Sequence, residues 1–368
     1  MADGSQEQAF AQAERDALAL GNRGPLLIDA DGRVDDAILD AYWRTGFYVF
    51  EGVLDQAEMA ELQQEFRDLS ARAPAGSGCD TDRTGRPAIG DEDLQKLFRF
   101  VKPLTDPYGA TDTTNGRYQV RMREPERPAD APREVLLQIG GILQFSDAAL
   151  RIYGHPKLMA VTEAVNGPDF TPFTEVIWVK QARLGAAVSW HQDGTTHWDS
   201  PDLDQGTHGF NYMVNLYPTK AENALWVVPG THKGGKADIR AMVATSGSDR
   251  LDGAVPMLCK PGDVAICSRQ VVHGSFPNTS DTPRATFVFG FHRRSSVDGV
   301  KGWATEAYGD DSIRSSSRII PLAIDARRQR YPDEEAYVYQ PFADDPVAFN
   351  ETTRREVLHN YQQRMIGI

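Results

Sequence analysis

The stretch SWHQDGTTHW (189–198) places an imidazole and a carboxylate two positions apart, at His191 and Asp193. On an extended strand such a pair lies on one face. One imidazole and one carboxylate are two thirds of a facial triad, which holds non-haem Fe(II) and leaves positions open for a co-substrate and O₂. A lone His-x-Asp decides little, because it recurs by chance. The third ligand must come from a distant strand, and His273 is the candidate. It follows the apolar run of CKPGDVAICSRQVVHGSFPNTSDTPR (259–284) and enters a turn at Gly274. Eleven residues later, Arg284 opens the next strand-like run, RATFVFGFH. A guanidinium binds a carboxylate through two parallel charge-assisted hydrogen bonds, which fits the distal carboxylate of 2-oxoglutarate. The keto-acid end would chelate the iron. His-x-Asp, His and Arg in this order therefore predict a metal site and a co-substrate anchor together.

These residues need a rigid β scaffold, and the sequence from Phe173 to Arg294 has that texture. Short runs of alternating or β-branched residues (TEVIWVKQARLG, FNYMVNLYP, ALWVVPG, VPMLCKPGD, VAICS, RATFVFGFH) are separated by turn residues. The pattern predicts a sandwich or barrel, with the jelly roll as the usual metal-bearing version. Before it come helical and connecting elements. DAILDAYWRTG from Asp36 predicts a helix ended by Gly46, FYVFEGVL (47–54) a strand, and Asp55 with Glu58 a capped helix bearing Met59, Leu62, Phe66 and Leu69. HPKLMAVTEAVNG (155–167) predicts another helix, and EDLQKLFRFV a helix within the otherwise irregular 73–134 region. A long irregular stretch of that kind suits a lid or substrate loop. The expected organisation is a polar helical segment over 1–34, a jelly-roll domain over 35–300, and a C-terminal extension over 301–368 packed on the same domain. That extension reads as irregular up to about 345 and helical from Pro346 to about Arg364.

Composition narrows the partners. The 368 residues suffice for a substantial core. A net charge of −13 argues against nucleic-acid binding, which needs a basic surface. Cys79, Cys259 and Cys267, without a C-x-x-C pair, make neither a disulfide framework nor a zinc site. The N-terminus is polar, unlike a signal peptide, and no apolar run is long enough to span a membrane. A soluble cytoplasmic protein with a small-molecule substrate is the expectation.

The matching stretches, in order, are GFYVFEGVLDQAEMAEL, WHQDG, ALWVVPGTHKGG and KPGDVAICSRQVVHGSFPNTSDTPR. With these the chain resembles the phytanoyl-CoA dioxygenase family of Fe(II)/2-oxoglutarate oxygenases over roughly residues 35–294, most closely from 173 onward. The resemblance implies a mainly β fold, a double-stranded β-helix (jelly-roll) core with flanking N- and C-terminal helices. It implies His191, Asp193 and His273 as iron ligands and Arg284 as the anchor of the 2-oxoglutarate carboxylate. Ser275 matches a family serine that helps bind that carboxylate, and Gln192 a position often used beside the co-substrate. Where family members often carry a tryptophan, FNYMVN offers Tyr212. Halogenating relatives lack the carboxylate that Asp193 supplies, so its presence points to hydroxylation or another C–H oxidation.

Three further residues are candidates for the substrate pocket. His197 and Trp198 follow the metal motif, and Lys180 precedes it on a strand, where an exposed lysine is the ordinary alternative. The arginines of GRYQVRMRE (116–124) are candidates for an anionic substrate group, against alternating arginines on an exposed strand. A non-catalytic jelly-roll metal- or ligand-binding protein, and a cupin-type dioxygenase that does not use 2-oxoglutarate, are the competing readings.

Overall fold

Alternation with a period of two sorts the β-rich half between an outer and an inner face. The computed structural model describes residues 4–89, 98–112, 116–193, 209–300 and 307–363. Twelve strands appear among these. Strands β1 (Arg23–Pro25), β2 (Phe47–Glu51), β3 (Phe98–Val101), β4 (Val135–Gly140), β5 (Phe170–Lys180), β7 (Gly209–Asn215), β10 (Val264–Ser268) and β12 (Arg284–Arg293) form an eight-stranded sheet. Its order is β1-β2-β10-β7-β12-β5-β4-β3. A second sheet of four, in the order β6-β11-β8-β9, comprises β6 (Val188–His191), β8 (Trp226–Val228), β9 (Val255–Pro256) and β11 (Val272–Ser275). Together they make the jelly-roll core.

Facing side chains of the two sheets close one apolar layer, with Val49, Met213, Ala265 and Val288 from the large sheet meeting Val227 and Val255 from the small one. On β7 and β12 the intervening residues, Phe210, Tyr212, Val214, Phe287, Phe289 and Phe291, point the other way into the larger core under the helices. Those helices are α2 (Asp36–Thr45), α3 (Gln56–Ala71), α4 (Asp147–Tyr153), α5 (Pro156–Asn166), α8 (Ile319–Arg330) and α9 (Glu351–Gln363). Helix α1 (Gly4–Ala19) lies instead against β9.

The local signals act as expected. Asp55 and Glu58 form a reciprocal capping box at α3. Gly46 closes α2 with φ 86°, and a Cβ there would lie 2.6 Å from His232 Nδ1. That close approach seats the PGTHK turn on α2, and His232 Nε2 lies 3.0 Å from the Trp43 carbonyl oxygen.

Two expectations are corrected. The last four residues of EDLQKLFRFV form strand β3, paired with β4, while 90–97 lie outside the described residues. Phe98, Phe100 and Val101 have high strand propensity, and the pairing with β4 prevails over local helix propensity. The stretch read as irregular up to 345 contains α7 (Asp310–Ser317) and α8. Its serines and Pro321 suggest turns, yet Pro321 falls in the first turn of α8, where its missing N–H costs no hydrogen bond. Helix α8 packs on α4 so closely that a Cβ on Gly154 would sit 2.4 Å from the backbone of Ala323. Gly154→Ala is therefore expected to destabilise the fold by roughly 1–3 kcal/mol, read as a lowered Tm.

Candidate metal and co-substrate site

Pairing of β6 with β11 sets His191 directly opposite His273. Asp193 follows β6 two residues on and keeps the side of His191, as the strand period requires. His191 Nε2 lies 3.6 Å from Asp193 Oδ1, and His273 Nε2 lies 3.9 Å from Asp193 Oδ2. One ligand atom from each of the three falls within 4.8 Å of the others, so one cation can touch all three.

The backbone fixes which nitrogen each ring presents. His191 Nδ1 is 2.7 Å from the Ser189 carbonyl and His273 Nδ1 is 2.9 Å from the Val271 carbonyl. A carbonyl only accepts, so both Nδ1 atoms carry a proton, and both Nε2 atoms face the carboxylate. Burial, followed by the nearby His273, pushes the His191 pKa well below its ordinary value, so this imidazole is neutral. Burial alone would raise the Asp193 pKa. The Arg117 guanidinium, with Arg269 further off, outweighs it and holds the carboxyl below the ordinary range. Two imidazoles that present Nε2 and one carboxylate are the donor set that suits Fe(II).

The triad opens on a cavity of about 110 Å³ between the sheets, lined also by Ser275 and Arg284. Arg284 is only 4% exposed, and Nη1 donates to the Asn223 carbonyl at 3.1 Å. Its Nε has no partner, nor has Ser275 Oγ. No carboxylate pairs with Arg284 among the described residues, and burial pushes its pKa down to about 10. A buried guanidinium and hydroxyl with unused hydrogen-bonding capacity are complementary to an incoming carboxylate. The residues present thus fit both iron and 2-oxoglutarate.

Three predicted contacts fall elsewhere. Gln192 turns away from the triad, as strand parity dictates. Its Nε2 donates to the carbonyls of Gly235 (2.9 Å) and Gln270 (2.6 Å), and its Oε1 accepts from Ala237 N–H (2.7 Å). It pins the loop after PGTHKGG to the end of β6. Tyr212 lies on the outer face of β7, with its hydroxyl donating to the Leu158 carbonyl at 2.7 Å. The inward positions of FNYMVN are Asn211, Met213 and Asn215, which line the cavity. Lys180 is neither exposed nor among the lining residues. Its Nζ is buried against the carbonyls of Ala186, Phe276 and Ser275, with Phe276 O at 2.6 Å. Lys180→Ala leaves those carbonyls unpaired, and a loss of roughly 2–3 kcal/mol in chemical denaturation is expected. His197 and Trp198 lie outside the described residues.

The structure also adds residues. Arg117 is 8% exposed and donates from Nη1 to Asp193 Oδ1 at 2.7 Å, while Asn211 Nδ2 donates to Oδ2 at 3.3 Å. The Tyr118 ring packs on the His191 ring, with centroids 4.7 Å apart. Asp106 secures this segment to β6, accepting from Met122 N–H (2.8 Å), Gly109 N–H (3.0 Å) and the Ser189 hydroxyl. The arginine-rich GRYQVRMRE was a visible signal for Arg117. Asn211 was visible only through the parity of β7.

The model of the phytanoyl-CoA dioxygenase (PhyH) family matches residues 42–286. The chain belongs to this family. Phytanoyl-CoA dioxygenase 1 of Oryza sativa subsp. japonica is 31% identical over 112 residues, 28% of this chain and 38% of the rice protein. That match spans well under half of the rice protein. Phytanoyl-CoA dioxygenase domain-containing protein 1 of Rattus norvegicus is 24% identical over 283 residues, covering 68% of this chain and 87% of the rat protein. L-proline trans-4-hydroxylase of Streptomyces griseoviridis is 22% identical over 229 residues, covering 56% and 80%. Among solved structures, EctD from S. alaskensis with 2-oxoglutarate and 5-hydroxyectoine aligns with a TM-score of 0.51 and 18% identity, over 77% of this chain and 87% of that one. At that identity the likeness concerns the fold. This PhyH-family member has, among its described residues, no helix long and apolar enough to cross a membrane.

Proposed function

We propose that the chain is an Fe(II)- and 2-oxoglutarate-dependent dioxygenase that oxidises a C–H bond of a small organic molecule, releasing succinate and CO₂. The observation that carries this reading is one cavity holding both the His191–Asp193–His273 cluster and the acid-free Arg284 with Ser275. A metal-binding protein without a keto-acid co-substrate has no use for a buried, uncompensated guanidinium beside the metal. In this reading His191, Asp193 and His273 hold iron, and Arg284 with Ser275 takes the far carboxylate of 2-oxoglutarate. Iron supplies the oxidising chemistry when bound with 2-oxoglutarate and O₂. The chain supplies position. The carbonyls of Ser189 and Val271 fix the two imidazoles, and the inward residues of β7 and β12 shape the co-substrate slot. The family relationship supports the reaction class, and a relative named as an amino-acid hydroxylase agrees with a small substrate.

The test is anaerobic reconstitution with Fe(II) and 2-oxoglutarate, followed by admission of O₂. A weak visible chelate absorption and iron-dependent succinate are expected. Iron binding with neither signal would move the assignment to a non-catalytic binding protein. Product formation without 2-oxoglutarate would move it to a cupin-type dioxygenase.

A further inference from the structure

We propose that Asn211 is a positioning residue: it draws one oxygen of Asp193 off the metal, so that this carboxylate ligates through a single oxygen and leaves room for 2-oxoglutarate to chelate. The inference rests on the oxygenase reading above and deepens it. Asn211 lies on β7 in the large sheet, whereas His191 and His273 stand on β6 and β11 in the small one. Its Nδ2 donates to Asp193 Oδ2 at 3.3 Å across the gap between the sheets. Asp193 is thus held between the imidazoles on one side and an amide on the other.

The other end of the amide is the main argument. Asn211 is 6% exposed, and its Oδ1 is buried with no hydrogen-bond partner. Buried polar groups are ordinarily paired, so an orphan acceptor marks an orientation imposed by something else. Turning the amide over would set Oδ1 against a carboxylate oxygen, and neither of those atoms can donate. Asn215, four positions along β7, shows the ordinary arrangement, with its Oδ1 accepting from Thr286 Oγ1 at 2.7 Å. The residue paired with Asn211 on β12 is Gly290, at a bulge, and it has no side chain to offer. A Cβ there would lie 2.4 Å from the Phe210 carbonyl oxygen and 2.5 Å from Asn211 Oδ1. The bulge therefore admits the amide but cannot satisfy it. Its bond to Asp193 sets the orientation.

A carboxylate binds a cation through one oxygen or through both. Asp193 Oδ1 lies 3.6 Å from His191 Nε2 and Oδ2 lies 3.9 Å from His273 Nε2, so a cation shared with the imidazoles can meet either oxygen. If both bound, the second would fill a position that a facial triad leaves for the co-substrate. Asn211 holds Oδ2 toward the large sheet, and Oδ1, the oxygen nearer its imidazole, is left as the ligand. The competing role is plain support of Asp193, and the two roles give opposite signs. Loss of a supporting partner loosens the metal by roughly 10- to 100-fold. Loss of Asn211 in the role assigned here frees Oδ2 to join Oδ1. Fe(II) then binds as tightly as before, or tighter, and 2-oxoglutarate must displace an oxygen in order to chelate.

The experiment uses the full chain under anaerobic conditions, as wild type and as Asn211→Leu, which keeps a branched side chain and removes both polar atoms. Each protein is titrated first with Fe(II), and the iron-loaded protein is then titrated with 2-oxoglutarate, read by the visible chelate absorption. Asn211→Leu is expected to hold Fe(II) at least as tightly as the wild type and to need about tenfold or more 2-oxoglutarate to develop the band. Its metal-free form should match or exceed the wild type in Tm, because an unpaired buried acceptor has been removed. Asn211→Ala, which adds no bulk against Phe210 and Gly290, carries the same two titrations if leucine is not accepted in the bulge. Weaker Fe(II) binding in the variant, or an unchanged 2-oxoglutarate titration, would overturn the proposal. A wild-type protein that binds iron and gives no chelate band would instead strike the oxygenase reading, and the inference with it.

Discussion

Asp193→Ala is expected to abolish iron-dependent succinate formation and to weaken Fe(II) binding by more than about 100-fold, beyond the usual effect of losing a residue that only supports a ligand. Asp193 is the one anionic member of the triad, since burial keeps His191 neutral and both Nδ1 protons are committed to backbone carbonyls. Without it, the cation would meet two imidazoles and no carboxylate, with Arg117 and Arg269 close by. The same substitution takes from Arg117 the carboxylate it pairs with at 2.7 Å in a buried setting. Breaking such a pair costs roughly 3–5 kcal/mol when the remaining charge stays buried. A lowered Tm of the metal-free protein should therefore accompany the loss of iron. Titration with Fe(II) under anaerobic conditions and thermal denaturation of the apoprotein separate the two effects. Turnover at the wild-type rate in Asp193→Ala would remove this residue from the triad. A loss of iron with no fall in apoprotein Tm would mean that Arg117 finds another anion in the folded chain.

Much of this site was legible because the strand period and the chemistry coincide. His-x-Asp on an extended segment must present both groups together, and Arg284 opens β12 where RATFVFGFH announces a buried strand. The capping box at α3 and the left-handed Gly46 were equally local, each needing only its neighbours. What failed was what depends on partners distant in sequence. Tyr212 seemed a co-substrate residue by alignment of type. The choice of face on β7 was made by the aromatic residues packing under α5, and it turned Asn211 inward instead. Gln192 and Lys180 sit close to the motif in sequence, yet their polar ends are spent on carbonyls of segments up to about a hundred positions away. The segment from 310 to 330 misled because α8 owes its stability to packing on α4, and α7 to packing on β5, more than to their own serine- and proline-bearing sequences. Arg117 shows the intermediate case. Its segment carried a legible excess of arginine, while the identity of the one that enters the site depended on Asp106 fastening that segment to β6.

Arg284→Met should raise the apparent KM for 2-oxoglutarate by about 10- to 150-fold, the range for losing a hydrogen bond to a charged group, with Fe(II) binding retained. The side chain has no acidic partner among the described residues, and its Nε is unsatisfied, so in the free protein it is a buried charge awaiting a counter-ion. Lys180 lies directly opposite it across the β5–β12 pair and offers no counter-charge. Replacing such a group by an apolar side chain of similar length is commonly neutral or stabilising. The variant should therefore match or exceed the wild type in Tm while losing co-substrate affinity. A residue kept for structure would behave in the opposite way, with Tm falling and KM unmoved. Arg284→Lys sharpens the point: it preserves the charge but lacks the planar fork, so its KM should fall between those of the wild type and Arg284→Met. If Arg284→Lys is indistinguishable from wild type, the anchor works as a point charge, and Ser275 and the local positive field carry the rest of the recognition.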